Sequence, residues 1–243
     1  MRFIWFTRLV LTNGSGNHAI NIAEHVLGLM LAFARQLPAL VRAQEKRQWH
    51  SLKIESLFEL SGQTLAVIGT GALGSAVAQR AAAFGMRVLG VRRSAADAPL
   101  PPGFSAMATL DAIDTALREA DHVVITLPLT TQTRGLFSTD RLAAMKPGAR
   151  LYNVGRGAVV DQDALLAALR SGHLAGAGLD VTEPEPLPAE SPLWLESGVI
   201  ITAHSSGLTP RSDERYRALL VENMRRFDRG AELLNIVDKA LGY

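Results

Sequence analysis

Gly69-Thr70-Gly71-Ala72-Leu73-Gly74 follows the apolar run Leu65-Ala66-Val67-Ile68 and precedes a segment with helical periodicity. Glycines at that spacing between a strand and a helix suit a dinucleotide. Gly69 permits the tight turn, Gly71 lets backbone approach a pyrophosphate, and Gly74 lets the helix pack on the strand. Ala72 and Leu73 open the helix, whose free N–H groups and positive dipole end face the phosphates. A glycine-rich turn without a ligand is the competing reading. The second strand of the unit ends in Val91-Arg92-Arg93-Ser94, with no Asp or Glu to hold a ribose 2′-hydroxyl. Two guanidiniums and a hydroxyl suit a 2′-phosphate, which favours NADP over NAD; solvated surface arginines are the alternative.

Further polar clusters lie just past the carboxyl ends of expected strands: Pro128 with Thr130 and Thr133, Asn153-Val154-Gly155-Arg156-Gly157, Asp180 to Glu185, and His204-Ser205-Ser206-Gly207. In open α/β sheets ligands sit at that edge. Arg156, between glycines, can present its fork to a carboxylate. His204 is the candidate acid/base, because histidine exchanges a proton near neutral pH. Glu185 is its natural partner, a carboxylate that fixes which ring nitrogen carries the proton. Taken alone, His204 reads as a strand-end residue capping a backbone group. His18, His25, His50, His122 and His173 lack such company and read as structural or solvated. No histidine pair has helical metal-ligand spacing, so no metal is expected.

The elements that must position these residues follow from periodicity. Strands are expected at residues 64–68, 87–91, 122–127, 150–154, 175–179 and 199–202, and helices at 73–84, 110–120, 139–145, 161–171 and 211–229. Such alternation predicts an α/β, doubly wound parallel sheet. Ahead of a linker over 51–62, apolar residues recur at helical spacing from Ala19 to Trp49, predicting one long helix bent near Pro38. Either a core helix or a subunit interface fits that broad stripe. Leu9-Val10-Leu11 is expected as a strand, stopped by Asn13-Gly14-Ser15-Gly16.

With 48% hydrophobic and 20% charged residues over 243 positions, the chain has the balance of a folded protein with one large or two small domains. It contains no cysteine, which excludes a disulfide scaffold, a thiolate nucleophile and a cysteine-based zinc site; a cytoplasmic location is expected. Lys and Arg number 25 against 23 Asp and Glu, so the isoelectric point of about 9.2 reflects a scarcity of groups titrating between His and Lys rather than a basic face. No nucleic-acid partner is expected. Ala19 to Leu40 is interrupted by Asn21, Glu24, His25, Arg35 and Pro38, so no membrane span is expected.

Taken in order, the motifs resemble the D-isomer-specific 2-hydroxyacid dehydrogenase family. They are Asn21-Ile22-Ala23-Glu24-His25, the glycine fingerprint, Ala120-Asp121 through Leu127-Pro128-Leu129-Thr130 to Thr133, and Met145-Lys146-Pro147-Gly148 through Arg156 to Asp161. Leu179-Asp180-Val181 to Glu185-Pro186-Leu187, Thr202-Ala203-His204 and Leu234-Asn235-Ile236-Val237-Asp238 complete the set. The resemblance implies that Arg156 binds a substrate carboxylate, His204 is the acid/base and Glu185 orients it. Asp180 would face the nicotinamide carboxamide. Leu127, Pro128, Thr133, Val154 and Gly155 would line the cofactor site, which Arg156 and His204 also reach. Arg92-Arg93-Ser94 resembles the arrangement in NADPH-preferring glyoxylate and hydroxypyruvate reductases. A homodimer through residues 19–49 is implied as well.

There are two departures. Ala203 stands where the family usually has Pro, and the flavodoxin-like front half of the substrate domain, a piece on the order of 100 residues, has no counterpart. Met1 to Thr7 reads as leftover or non-native sequence. The expected organisation is a substrate-domain remnant over 1–18, a dimerisation helix over 19–50, a Rossmann dinucleotide-binding domain over 51–207, and a C-terminal helix and tail over 208–243. The expected function is NADP-dependent interconversion of a small 2-keto acid and its 2-hydroxy acid, with NAD possible. A truncated, non-catalytic cofactor-binding dimer or redox-sensing scaffold is the alternative.

Overall fold

The computed structural model describes residues 9–93 and 99–239. Strands β1 (Thr64–Ile68), β2 (Arg87–Arg92), β3 (Ala106–Thr109), β4 (His122–Ile125), β5 (Arg150–Asn153), β6 (Gly176–Leu179) and β7 (Val199–Ile201) form one sheet. Its order is β3-β2-β1-β4-β5-β6-β7, and every pairing is parallel. The direction of travel reverses between β1 and β4, which opens a crevice at their carboxyl ends.

Helices α1 (Ala19–Ala34), α2 (Leu37–Glu45), α3 (Ala72–Ala83), α4 (Ile113–Glu119), α5 (Thr139–Ala143), α6 (Gln162–Arg170) and α7 (Pro210–Asp228) complete the fold. All of β1 is buried. Its Leu65 and Val67 pack with Met30 of α1 and Val77 of α3, while Ala66 and Ile68 pack on the other face with Leu117 of α4 and Leu165 of α6. Alternate residues of a pleated strand point to opposite faces, so a continuous apolar run is what a sheet covered on both sides requires. The expected doubly wound sheet is present.

Three expectations are corrected. Residues 19–49 form two helices, not one. α1 ends at Ala34, Gln36 adopts a left-handed φ of 54°, and α2 departs at 70°. Pro38 sits in the first turn of α2, where its missing N–H costs nothing. The stripe on α1 faces the core: Ala23, Val26 and Met30 are fully buried. Residues 9–11 form no strand. A single antiparallel bridge joins Thr12 to Ile236, and Leu9 and Val10 are exposed, with no sheet face to cover them. Finally β3 was not foreseen. It is a four-residue edge strand, half-buried throughout, and Ala-Met-Ala-Thr has a single β-branched residue to signal a strand. No single helix among the described residues is long and apolar enough to cross a membrane.

The amino end of the sheet holds a polar cluster away from the crevice. Asp121 accepts from Lys146 Nζ (2.6 Å) and from Thr64 N–H (2.9 Å), tying β1, β4 and the turn before β5 together. Burial opposes ionisation there, but these two donors outweigh it and hold Asp121 below the usual carboxylate range. His122 is fully buried, with Nδ1 3.0 Å from the Tyr152 hydroxyl and Nε2 bonded to Gln63 Oε1. Burial, then the nearby Arg150 charge, lowers the His122 pKa from 6.5 to about 3.

An unfolded chain therefore takes up this proton below pH 6.5, whereas the folded chain refuses it until about pH 3. Stability should drop as pH falls through that window, by roughly 1.4 kcal/mol per pH unit. Urea midpoints measured across it should fall less steeply in His122→Gln than in the wild type.

Candidate active site

The glycine loop connects β1 to α3 at the crevice, and its glycines do different work. Gly69 has φ 103°, and a Cβ there would lie 2.8 Å from Thr126 Oγ1. A Cβ on Gly74 would lie 1.9 Å from the Gly69 carbonyl oxygen, so α3 rests directly on the loop. A Cβ on Gly71 would meet nothing within 4 Å. Gly71 is also the N-cap of α3 and offers no capping side chain, which leaves first-turn N–H groups turned to open space.

That space is a cavity of about 760 Å³. It brings together Gly69, Gly71, Ala72, Leu73, Gly74, Arg92, Arg93, Leu127, Pro128, Val154, Gly155 and Arg156. Thr133 lies in an adjoining pocket of about 170 Å³ that shares Arg92, Arg93, Leu127 and Pro128. Its Oγ1 donates to Pro128 O (2.7 Å) and accepts from Thr130 N–H (2.8 Å), which braces the loop after β4. Ser94 lies outside the described residues. An open-fronted glycine, an uncapped helix start and two arginines in one cavity fit a phosphorylated dinucleotide.

Sequence reasoning missed the far wall, made by Asn13, Ser15, Ile22, Asn235 and Ile236. Asn235 (φ 54°) donates from Nδ2 to Ser15 O (2.9 Å) and Asn13 O (3.3 Å). An Asn in a turn-like tail was the available signal, since Asn tolerates a left-handed backbone.

The glycines flanking Arg156 have a packing reason. A Cβ on Gly157 would lie 1.9 Å from Thr182 O, and one on Gly155 2.7 Å from Leu127 O, so the backbone threads between two others. Asn153 fixes this turn by donating to Arg156 O (2.9 Å) and accepting from Gly155 N–H (3.1 Å). The Arg156 guanidinium remains exposed and donates to Gly155 O (2.7 Å).

His204 and Glu185 are brought into direct contact. His204 Nδ1 lies 2.7 Å from Glu185 Oε2, and Glu185 Oε1 accepts from Thr182 N–H at 3.0 Å. Because the carboxylate accepts, Nδ1 carries the proton, leaving Nε2 as the outward nitrogen. The pair lines a second cavity of about 490 Å³, with Asp180, Leu187 and Trp194. Arg156 opens into the first cavity and is not brought against the pair.

Ala203 (φ 48°) and His204 (φ 55°) are both left-handed, which costs roughly 1–2 kcal/mol for each residue with a Cβ. Asp180 holds this turn. Only 2% exposed, its carboxylate accepts from Thr202 Oγ1 (2.6 Å), Ser205 N–H (3.0 Å), Ser206 N–H (3.1 Å) and the Ser206 hydroxyl, while its carbonyl accepts from His204 N–H (2.6 Å). Among the described residues no group of three or more His, Cys, Asp or Glu could hold a metal ion.

The family model for the D-isomer specific 2-hydroxyacid dehydrogenase NAD binding domain matches residues 27–206. The chain is 41% identical over 207 residues to glyoxylate/hydroxypyruvate reductase B of Pectobacterium carotovorum, covering 84% of this chain and 63% of that protein. It is 32% identical over 233 residues to D-3-phosphoglycerate dehydrogenase of Methanocaldococcus jannaschii, covering 95% of this chain and 43% of that protein. It thus spans less than two thirds of both relatives. A crystal structure of a D-isomer specific 2-hydroxyacid dehydrogenase from Xanthobacter autotrophicus, in complex with NADPH and MES, superimposes with a TM-score of 0.85 at 38% identity. That match covers 98% of this chain and 95% of that one.

The glycine geometry separates packing from binding. Gly74→Ala should destabilise the fold by about 1–3 kcal/mol or more, because backbone rather than a flexible side chain must move. Gly71→Ala should leave the unfolding free energy, measured by urea denaturation, within about 0.5 kcal/mol of wild type.

Proposed function

The chain belongs to the D-isomer-specific 2-hydroxyacid dehydrogenase family, and on that footing we propose that it reduces a small 2-keto acid with NADPH to the D-2-hydroxy acid, glyoxylate and hydroxypyruvate being the leading substrates. The observation that carries this reading is the 2.7 Å His204–Glu185 contact at the same sheet edge as the glycine cavity.

NADPH would be held by the glycine loop and the α3 N-terminus at its pyrophosphate and by Arg92 and Arg93 at its 2′-phosphate, with Thr133 and Asp180 at the margins of the site. Bound there, it supplies the hydride that reduces the keto carbon. The protein's own residues do the remainder. Arg156 binds the substrate carboxylate and polarises the keto oxygen. His204 donates the Nε2 proton to the developing alkoxide. Glu185 keeps Nδ1 protonated and the ring oriented throughout.

A homodimer through residues 19–49 belongs to the same proposal. It is supported by Leu37 and Val41, apolar yet exposed on α2, and by Trp49, which is 98% exposed just beyond it. The proposed partition into 1–18, 19–50, 51–207 and 208–243 draws support from the pairing of residues 11–13 with 235–237. A cytoplasmic location, with which a cysteine-free sequence is compatible, belongs to the same proposal. The second reading, a cofactor-binding dimer without turnover, is favoured by one observation: Arg156 and the His204–Glu185 pair open into different cavities.

NADPH consumption with glyoxylate, hydroxypyruvate and pyruvate separates the two. Turnover that falls at least a hundredfold in His204→Ala, with NADPH binding retained, is expected; tight NADPH binding with no turnover of any of the three supports the second reading. Fluorescence titrations should show NADPH binding about tenfold or more tighter than NADH, with Arg92→Ala/Arg93→Ala removing the difference. Equal affinities in the wild type would refute the 2′-phosphate assignment.

A further inference from the structure

One edge of α1 grips the loop that carries His204. His18 at its N-cap, Asn21 and His25 lie at i, i+3 and i+7, on one helix face. His18 Nδ1 donates to Gly207 O (3.0 Å), Asn21 Nδ2 to Ser206 O (2.7 Å), and His25 Nε2 lies 3.0 Å from Thr202 Oγ1. Arg215 donates to Asn21 Oδ1 (3.0 Å), which fixes the amide so that its NH₂ faces Ser206.

We propose that His25 is a positioning residue for His204, acting through Thr202 and Asp180; this rests on the reading of His204 as the acid/base. The polarity of the bonds sets the direction. The Thr202 hydroxyl has one hydrogen and donates it to Asp180 Oδ1 at 2.6 Å. Its contact with His25 must therefore be one it accepts, and His25 must carry hydrogen on Nε2. With that donor in place, the Thr202 hydroxyl is held toward Asp180 rather than free to rotate. Asp180 is then kept in the position from which it grips Ser205, Ser206 and the His204 N–H. Strained backbone of this kind persists only where its surroundings over-determine it, and the left-handed pair Ala203-His204 lies directly between Thr202 and Ser205. An unconstrained Ala stands at 203, so the turn depends on bonds made from outside it.

The test is carbon–proton correlation NMR of the histidine rings in the full chain, with His204 assigned from His204→Gln. His25→Leu removes the donor and should displace the His204 ring resonances. His25→Gln, whose amide N–H can replace Nε2–H, should return them toward wild type. Thr202→Val should reproduce the displacement and serves where His25→Leu does not fold. In the reductase assay His25→Leu should lower kcat about tenfold to a hundredfold, and His25→Gln should restore it. The proposal is overturned if His25→Leu or Thr202→Val leaves the His204 resonances in place, or if His25→Gln displaces them as far as His25→Leu. Absence of turnover in the wild type would sink the acid/base reading alone, because the ring spectrum reports the positioning without it.

Discussion

A carboxylate removed from water must be answered by donors, and Asp180 at the end of β6 is answered almost wholly by the five residues that follow β7. This interaction determines the shape of the chemical site. The loop cannot take a relaxed path past His204 without leaving a buried acceptor unsatisfied, a loss of about 1–3 kcal/mol or more for each bond. Two left-handed residues cost roughly 2–4 kcal/mol together, less than losing several of these bonds at once, so the turn holds. The imidazole is thereby delivered to Glu185, whose own orientation comes from Thr182 N–H two residues beyond Asp180. Anchor, turn and partner all descend from the carboxyl ends of two adjacent parallel strands.

The two ends of the sheet use polar groups in opposite ways. At the amino end Asp121, Lys146 and Thr64 close on one another, and His122 is locked neutral between Tyr152 and Gln63. Those groups are engaged with one another. At the carboxyl end Arg156 keeps an exposed guanidinium, Gly71 faces open space, and His204 presents a free ring edge. Parallel strands make this division natural, since every strand begins at one end and every helix N-terminus that follows a strand points back toward the other.

Local signals made much of this legible. β1 is five consecutive apolar or β-branched residues stopped by glycine, and its ends were placed to the residue. The His204–Glu185 pair was legible because both residues follow strands whose carboxyl ends must coincide in a parallel sheet. What stayed hidden has a common cause. β3 is short, with one β-branched residue, because an edge strand buries little and needs no strong β-former. The break at Gln36 precedes Pro38 by two residues because the proline sits comfortably inside the next helix. His25 reads from sequence as structural or solvated, and the structural alternative holds; its partner Thr202 could not be named because a hydrogen bond across 177 residues leaves no periodicity to read.

The glycines show where a motif stops being informative. Gly69, Gly71 and Gly74 form one pattern in sequence, yet only Gly71 faces space that a ligand could fill. Gly74 is demanded by a carbonyl oxygen of the loop itself, and Gly157, outside the pattern, is demanded just as strictly by Thr182. A fingerprint of this kind therefore mixes one constraint from binding with others from packing. An open-fronted Gly71 beside Arg92 and Arg93, where alanine would fit without strain, is thus the part of the motif that speaks for a cofactor rather than for a fold.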